Sequence, residues 1–247
     1  WIHRKSPTHE AKTVVKLERK KSNPDDISLL QGTSFVCSWS GGKDSCLALW
    51  RAIEQGGVPK LLLTMLDEHG QRSRSHGLPV EVLQAQADSL GIPLMTAQAS
   101  WDDYEEAFTA ALRTTAHEGA QASVFGDIDF EENRAWEKKV SRQAGLQAFI
   151  PLWQRSREEL LRTFLELGFK ATIIATKDDK LGKRFLGREL DGALLVDFEQ
   201  AGIDLSGEAG EYHTIVTDGP LFNEPLSLHK GEITHHAGVW FLGVQID

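Results

Sequence analysis

Six consecutive residues, Ser40-Gly41-Gly42-Lys43-Asp44-Ser45, combine two glycines, a cation, a carboxylate and two hydroxyls. Thr33 to Trp39, rich in β-branched and aromatic residues, reads as a strand leading into them, and Cys46 to Gln55 follows with helical spacing at Leu47, Leu49, Trp50 and Ile53. Glycines let a backbone bend sharply and approach an anion without Cβ interference. The N–H groups of the following helix start point at that anion, and the helix dipole adds attraction. Lys43 brings a full positive charge, and Ser40 and Ser45 bring hydroxyls. Asp44 would repel a phosphate and makes sense as a ligand or holder of Mg²⁺, which wants oxygen donors and bridges phosphates. The segment therefore reads as a pyrophosphate cradle, and it fits neither GxxxxGK[ST] nor GxGxxG.

Other candidates are scattered along the chain. Gly126-Asp127 follows an apolar Ser123 to Phe125 run, so Asp127 belongs at the carboxyl edge of a sheet, either holding Mg²⁺ and nucleotide or simply capping a helix. His76 precedes Gly77 in a loop after the second strand, on the nucleotide side. Glu208 and Glu211 flank Gly210 ahead of a strand and read as a cation or ammonium site, or as a solvated turn. Tyr212 and Thr214 would share one strand face and His213 the other, so all three reach one site only with a bulge. His213 reads as a base or as a structural hydrogen-bonder. Arg134 suits a phosphate or carboxylate, or lies on a helix surface. Trp136 and Trp153 read as packing residues, and the adjacent His235 and His236 would face opposite sides of a strand rather than share a metal. Cys46 sits where a helix start would stabilise a thiolate, which opens a sulfur-transfer reading, although Cys37 on the preceding strand favours packing.

Strands must alternate with helices to carry these positions. Leu61 to Leu66 is a continuous apolar run, as expected of a strand buried on both faces. Val80 to Leu90, Asp102 to Glu118 with Asp102 as cap, Glu131 to Ala144 and Arg157 to Leu167 read as helices. Leu94 to Ala99, Gln147 to Ile150 and Ala171 to Thr176 read as strands. This pattern makes βαβ units and a parallel sheet. Tyr212 to Thr217, Leu226 to Lys230 and Val239 to Ile246 read as short strands of an antiparallel or mixed portion. The net charge of −9 over 247 residues is uneven, because residues 1–21 hold seven Lys or Arg against two Glu. The acidic remainder makes a poor nucleic-acid surface. No apolar run approaches ~20 residues, so no membrane span is expected. Neither a secretory leader nor a disulfide framework is read, and a cytoplasmic setting is expected.

With a strand before it and a helix after, SGGKDS resembles the signature of the PP-loop ATP pyrophosphatases. Ser75-His76-Gly77, Gly126-Asp127-Ile128 with Arg134 and Trp136, Pro151-Leu152-Trp153, the Gly207 to Thr214 segment GEAGEYHT and the Asp218 to Phe222 segment DGPLF narrow the resemblance. Together they resemble the diphthine–ammonia ligase family, also called the diphthamide synthase domain, over roughly residues 33–223. The resemblance implies an α/β fold, with a HUP-type parallel sheet flanked by helices and a smaller mixed α+β C-terminal domain. It divides the chain into a basic extension 1–31, a PP-loop domain 32–152 and a substrate-side domain 153–247. It also implies ATP and Mg²⁺, adenylation of the carboxylate of diphthine on elongation factor 2 with release of pyrophosphate, and displacement of AMP by ammonia. Such a cradle stabilises leaving-group charge that develops only in the transition state.

Carried over, residues 40–45 with His76, Gly126 and Asp127 hold the nucleotide, and Asp44 and Asp127 hold the metal. Lys43, Asp44, Glu208, Glu211 and His213 act in catalysis, and Arg134, Gly210, Tyr212 and Thr214 hold the substrate. The stretches SWSGGKDS and RSHGLPVEVLQAQADSLGIPL look like bacterial members. Bacteria make no diphthamide, so elongation factor 2 is the partner only where the organism makes that residue, and otherwise another carboxylate is. A PP-loop sulfurtransferase and a non-catalytic ATP sensor stand as alternatives, and a homodimer is compatible with the sequence.

Overall fold

The computed structural model describes residues 30–247, so the basic segment of residues 1–21 lies outside the described residues. Five strands form one parallel sheet in the order β3-β2-β1-β4-β5: β1 Ser34–Ser38, β2 Val58–Leu66, β3 Leu94–Gln98, β4 Ala122–Val124 and β5 Gln147–Phe149. Alternate residues of each strand serve opposite faces. Phe35, Cys37 and Leu62 pack with α1 (Lys43–Glu54) and α2 (Val80–Leu90), while Val36 and Leu63 pack with α3 (Tyr104–His117) and α4 (Glu131–Gln143). Burial on both faces is why Leu61 to Leu66 of β2 is apolar but for Thr64, whose hydroxyl donates to the Trp39 carbonyl.

The chain builds outward from β1 to β3 and then returns to the other side of β1 for β4. The crevice beyond the carboxyl ends of β1 and β4 is therefore the topological switch point, where open α/β sheets bind ligands. The Ser40 to Ser45 loop leaves β1 at that point, and Gly126-Asp127 leaves β4.

A second, antiparallel sheet of order β7-β6-β9-β8 contains β6 Lys170–Lys177, β7 Tyr212–Asp218, β8 Leu228–His236 and β9 Val239–Ile246. Helix α5 (Arg157–Glu166) precedes it, with Ser156 capping by accepting from Glu159 N–H. One hydrophobic cluster runs from Leu47 and Leu83 through Phe164 and Phe169 to Ile173, Phe198 and Ile215, joining the second sheet to the α1–α2 side of the first.

Four details differ from the sequence expectation. Leu30, counted in the extension, is a buried core residue, because an apolar side chain there fills the base of the first sheet. Helix α3 starts at Tyr104 with Asp103, not Asp102, at the cap position, and the Asp103 carboxylate accepts from Ser100 Oγ. Strand β8 starts at Leu228 and runs on to His236, beyond the expected Leu226 to Lys230. Helix α6, Gly192–Ala201, occupies a stretch read without any element; Asp191 caps it through Leu194 N–H, and it buries only Leu194, Leu195 and Phe198.

Candidate active site

A cavity of about 400 Å³ opens at the switch point. Its floor is the carboxyl end of the parallel sheet, with Ser38, Leu63 and Met65, and its far wall is the start of β7 with the loop before it.

The glycine loop enters this space under close constraint. Gly41 has φ +79°, and a Cβ on Gly42 would meet His76 Cε1 at 2.8 Å and the Thr214 carbonyl at 3.2 Å. A Cβ on Gly126 would sit 2.9 Å from the Asp44 carbonyl carbon, so this glycine lets β4 approach the α1 start. Ser45 Oγ donates to the Gly42 carbonyl and lies 3.0 Å from Ser40 Oγ. Lys43 N–H, expected to face an anion, donates instead to Thr214 Oγ1 at 3.1 Å, because β7 approaches within hydrogen-bonding distance.

Lys43 is 6% exposed, and its ammonium donates to both Asp44 oxygens at 2.7 and 2.9 Å. It lies 3.8 Å from Glu208 Oε1 and 5.6 Å from the centre of the Tyr212 ring. The Tyr212 hydroxyl donates to the Leu205 carbonyl, and its ring packs on Phe198, so this tyrosine acts as a buried wall under the lysine.

Glu208 carries the site's most useful titration. Burial, with the negative charge of Asp44, pushes its carboxyl up to about 7, against the opposing pull of Lys43 and Arg157. A carboxyl balanced near neutrality suits proton exchange at working pH. His213 is pushed the other way, to about 3, by burial and by the charges of His76, Lys43 and Lys177. Its ring meets His76 edge-on at 4.5 Å. Burial also lowers His76, whose Nδ1 lies 3.0 Å from the Ser40 carbonyl; a carbonyl only accepts, so Nδ1 carries the proton. A value of about 3 leaves His213 neutral at pH 7 and a weak base, with its ring packed against His76.

Tyr212, His213 and Thr214 all line the cavity. The strand-face argument required a bulge in this strand for all three side chains to share one site; the β6–β7 register shifts here, but the extra residue, Ile174, lies in β6 opposite Thr214 and His213. Ser40, Asp44, Ser45, His76, Gly126, Asp127 and Gly210 join them in the lining. Four expected residues, Glu211, Arg134, Gly41 and Gly42, do not line it. Glu211 is buried with Oε2 unpartnered, so it makes no pair with Glu208 at the cavity. Arg134 stacks on Trp153 at 4.6 Å and pairs with Glu131 on the helix surface. Gly41 turns its backbone away, toward α2 and β7.

Sequence reasoning missed Glu137. It is 2% exposed on α4, and burial followed by its hydrogen bond and charge interaction with Asp127 pushes its carboxyl up to about 11. The protonated acid can thus donate to Asp127, which also accepts from Asn133 Nδ2 at 2.6 Å. The available signal was position: Glu137, Val140 and Ser141 form the buried stripe of α4.

Among the described residues no group of three or more His, Cys, Asp or Glu is placed to hold a metal. The hard oxygen donors Asp44 and Asp127 still suit Mg²⁺ if a ligand's phosphates complete the shell, which is how this ion is commonly held. Cys37 and Cys46 are fully buried with thiols pushed upward by burial, so the stabilised thiolate weighed for Cys46 is not formed and sulfur transfer loses its nucleophile.

A glycine-bent loop and helix start at the switch point of a parallel sheet, walled by a second sheet, define a nucleotide-phosphate-binding α/β protein. The chain belongs to the diphthamide synthase family, whose N-terminal domain model matches residues 34–148 and whose C-terminal domain model matches residues 156–245. The mouse diphthine–ammonia ligase is 25% identical over 83% of this chain and 86% of its own length. The human one is 26% identical over 83% of this chain and 86% of its own length. The fission yeast (Schizosaccharomyces pombe) diphthine–ammonia ligase is 26% identical over 80% of this chain but only 36% of its own length. No helix among the described residues is long and apolar enough to cross a membrane.

Proposed function

We propose that the protein is an ATP-dependent ligase that adenylates a carboxylate and passes the acyl group to ammonia. The carrying observation is that one cavity brings Lys43 and the α1 start, from the first sheet, against Glu208, from the loop before β7. A carboxylate oxygen attacks the α-phosphorus of ATP, the bond to the bridging oxygen breaks, and pyrophosphate leaves. Lys43 and the α1 N-terminus meet the charge growing on that leaving group. Asp44 and Asp127 would hold Mg²⁺, which neutralises phosphate charge when bound. Ammonia then forms the C–N bond, AMP leaves, and Glu208 takes the proton released from nitrogen.

The acceptor is a protein-borne carboxylate such as diphthine where that residue exists, and a free carboxylate elsewhere. ATP as co-substrate fits a cytoplasmic setting. The test is incubation with ATP, Mg²⁺, ammonium and either a metabolite pool or elongation factor 2 bearing diphthine. AMP and pyrophosphate should appear, and Lys43→Ala should reduce them by at least about 100-fold, as loss of a charge-stabilising group does. ADP and phosphate as products would overturn the reading.

A further inference from the structure

Gln86 is a polar residue on the buried stripe of α2, between Leu83 and Leu90, with no exposed surface. Its side-chain amide uses three hydrogen bonds to join three segments. Oε1 accepts from Trp39 Nε1 at 3.1 Å, and Nε2 donates to the Gly41 carbonyl at 3.0 Å and to the Val216 carbonyl at 2.7 Å. An indole N–H only donates and carbonyls only accept, so the amide has a single workable orientation. The Gly41 carbonyl receives a second bond, from Val216 N–H at 2.9 Å. Two donors thus turn the Gly41 carbonyl toward α2 and β7. In a planar trans peptide the next N–H, that of Gly42, points the opposite way. Its own contact, to Ser40 Oγ, is long at 3.3 Å. Thr214 Oγ1, also on β7, holds the N–H of Lys43.

We propose that Gln86, together with Thr214, is a positioning residue that fixes the orientation of the glycine loop against the second sheet and so keeps the Gly41 carbonyl and the Lys43 N–H engaged and off a bound phosphate. The cradle is then a product of both sheets and not of the loop sequence alone. This inference rests on the phosphate-binding reading of the loop.

The test compares wild type, Gln86→Met and Thr214→Val as full chains, by amide hydrogen exchange and by calorimetric titration with MgATP. Gln86→Met keeps side-chain length and removes all three bonds. Ser141→Ala serves as control, since Ser141 accepts from Ser123 in a buried pair on the opposite sheet face. Exchange over residues 40–46 and 214–217 should quicken about tenfold or more in both β7-linked variants, with residues 131–149 unchanged. The Kd for MgATP should rise about tenfold or more, equivalent to about 1.4 kcal/mol. The control should lose stability while keeping wild-type loop exchange and affinity. If Gln86→Met does not fold, the near-isosteric Thr214→Val carries the same readouts. Wild-type loop exchange in the variants, or faster exchange with unchanged MgATP affinity, would overturn the proposal. If wild type binds no MgATP, the nucleotide reading fails, and loop exchange still decides whether the clamp exists.

Discussion

Two carboxyl groups among the described residues carry protons at unusual pH, and the consequences differ. Glu208 titrates at about 7, so a rate that needs its carboxylate should rise with pH through neutrality and level above it. Glu208→Gln should flatten that limb and lower kcat by about 100-fold or more, within the usual range for a general base; a limb that survives the substitution would assign the titration elsewhere. Glu137 has its folded-state value, about 11, far above its ordinary 4.5. The folded state therefore holds a proton that the unfolded chain gives up, and stability from this group falls as pH rises from about 4.5 toward 11. Glu137→Gln supplies a permanent donor to Asp127 at no proton cost. It should raise the Tm more at pH 8 than at pH 5, and equal shifts at the two pH values would contradict the assignment. Neither carboxyl was legible as such: Glu208 read as one of a pair with Glu211, and Glu137 was only one residue of the Glu131 to Ala144 helix.

At the scale of elements, most of the fold could be read because its signals are local. The two-faced β2, the period of α2 and the glycine stops after helices depend only on neighbours in sequence. What escaped depends on distant chain. Helix α6 buries only Leu194, Leu195 and Phe198, and its core is borrowed from β6 and β7. The β6 bulge opposite His213 and Thr214 is invisible in β7 itself. The glycine loop was legible by composition, but the capture of Lys43 N–H by Thr214 was not, since 171 residues separate the pair. Close packing at this junction gives a direct test. In Gly126→Ala the new Cβ would lie 2.9 Å from the Asp44 carbonyl carbon and 3.0 Å from Ser45 N, both backbone atoms unable to rotate away. Overpacking of this kind costs about 1–3 kcal/mol. Denaturant unfolding should show that loss, and MgATP affinity should fall with it; a variant with unchanged unfolding would mean that β4 and α1 can separate freely.

Across the whole molecule, loops from the two sheets meet at the cavity, and Arg157 at the start of α5 ties two of them together. Its guanidinium donates twice to Asp129 at 2.7 Å and again to Asp204. Asp129 stands two residues past Asp127, and Asp204 accepts from the backbone N–H of Glu208 at 3.2 Å. One side chain thus sets the spacing between the two carboxylate-bearing loops. The pair geometry is bidentate but about a third exposed, so solvent screening limits its worth to about 1 kcal/mol of stability. Its electrostatic reach is the more telling property, because the positive charge of Arg157 opposes the upward push on Glu208. Arg157→Met should therefore raise the midpoint of the pH–rate limb above that of wild type while removing only modest stability. Arg157→Lys, which keeps charge without the fork, should hold the midpoint near wild type and recover little of the loop spacing. If both variants keep the wild-type midpoint, Arg157 acts on the site through mechanical spacing alone, and the charge of Glu208 is set by Lys43 and Asp44.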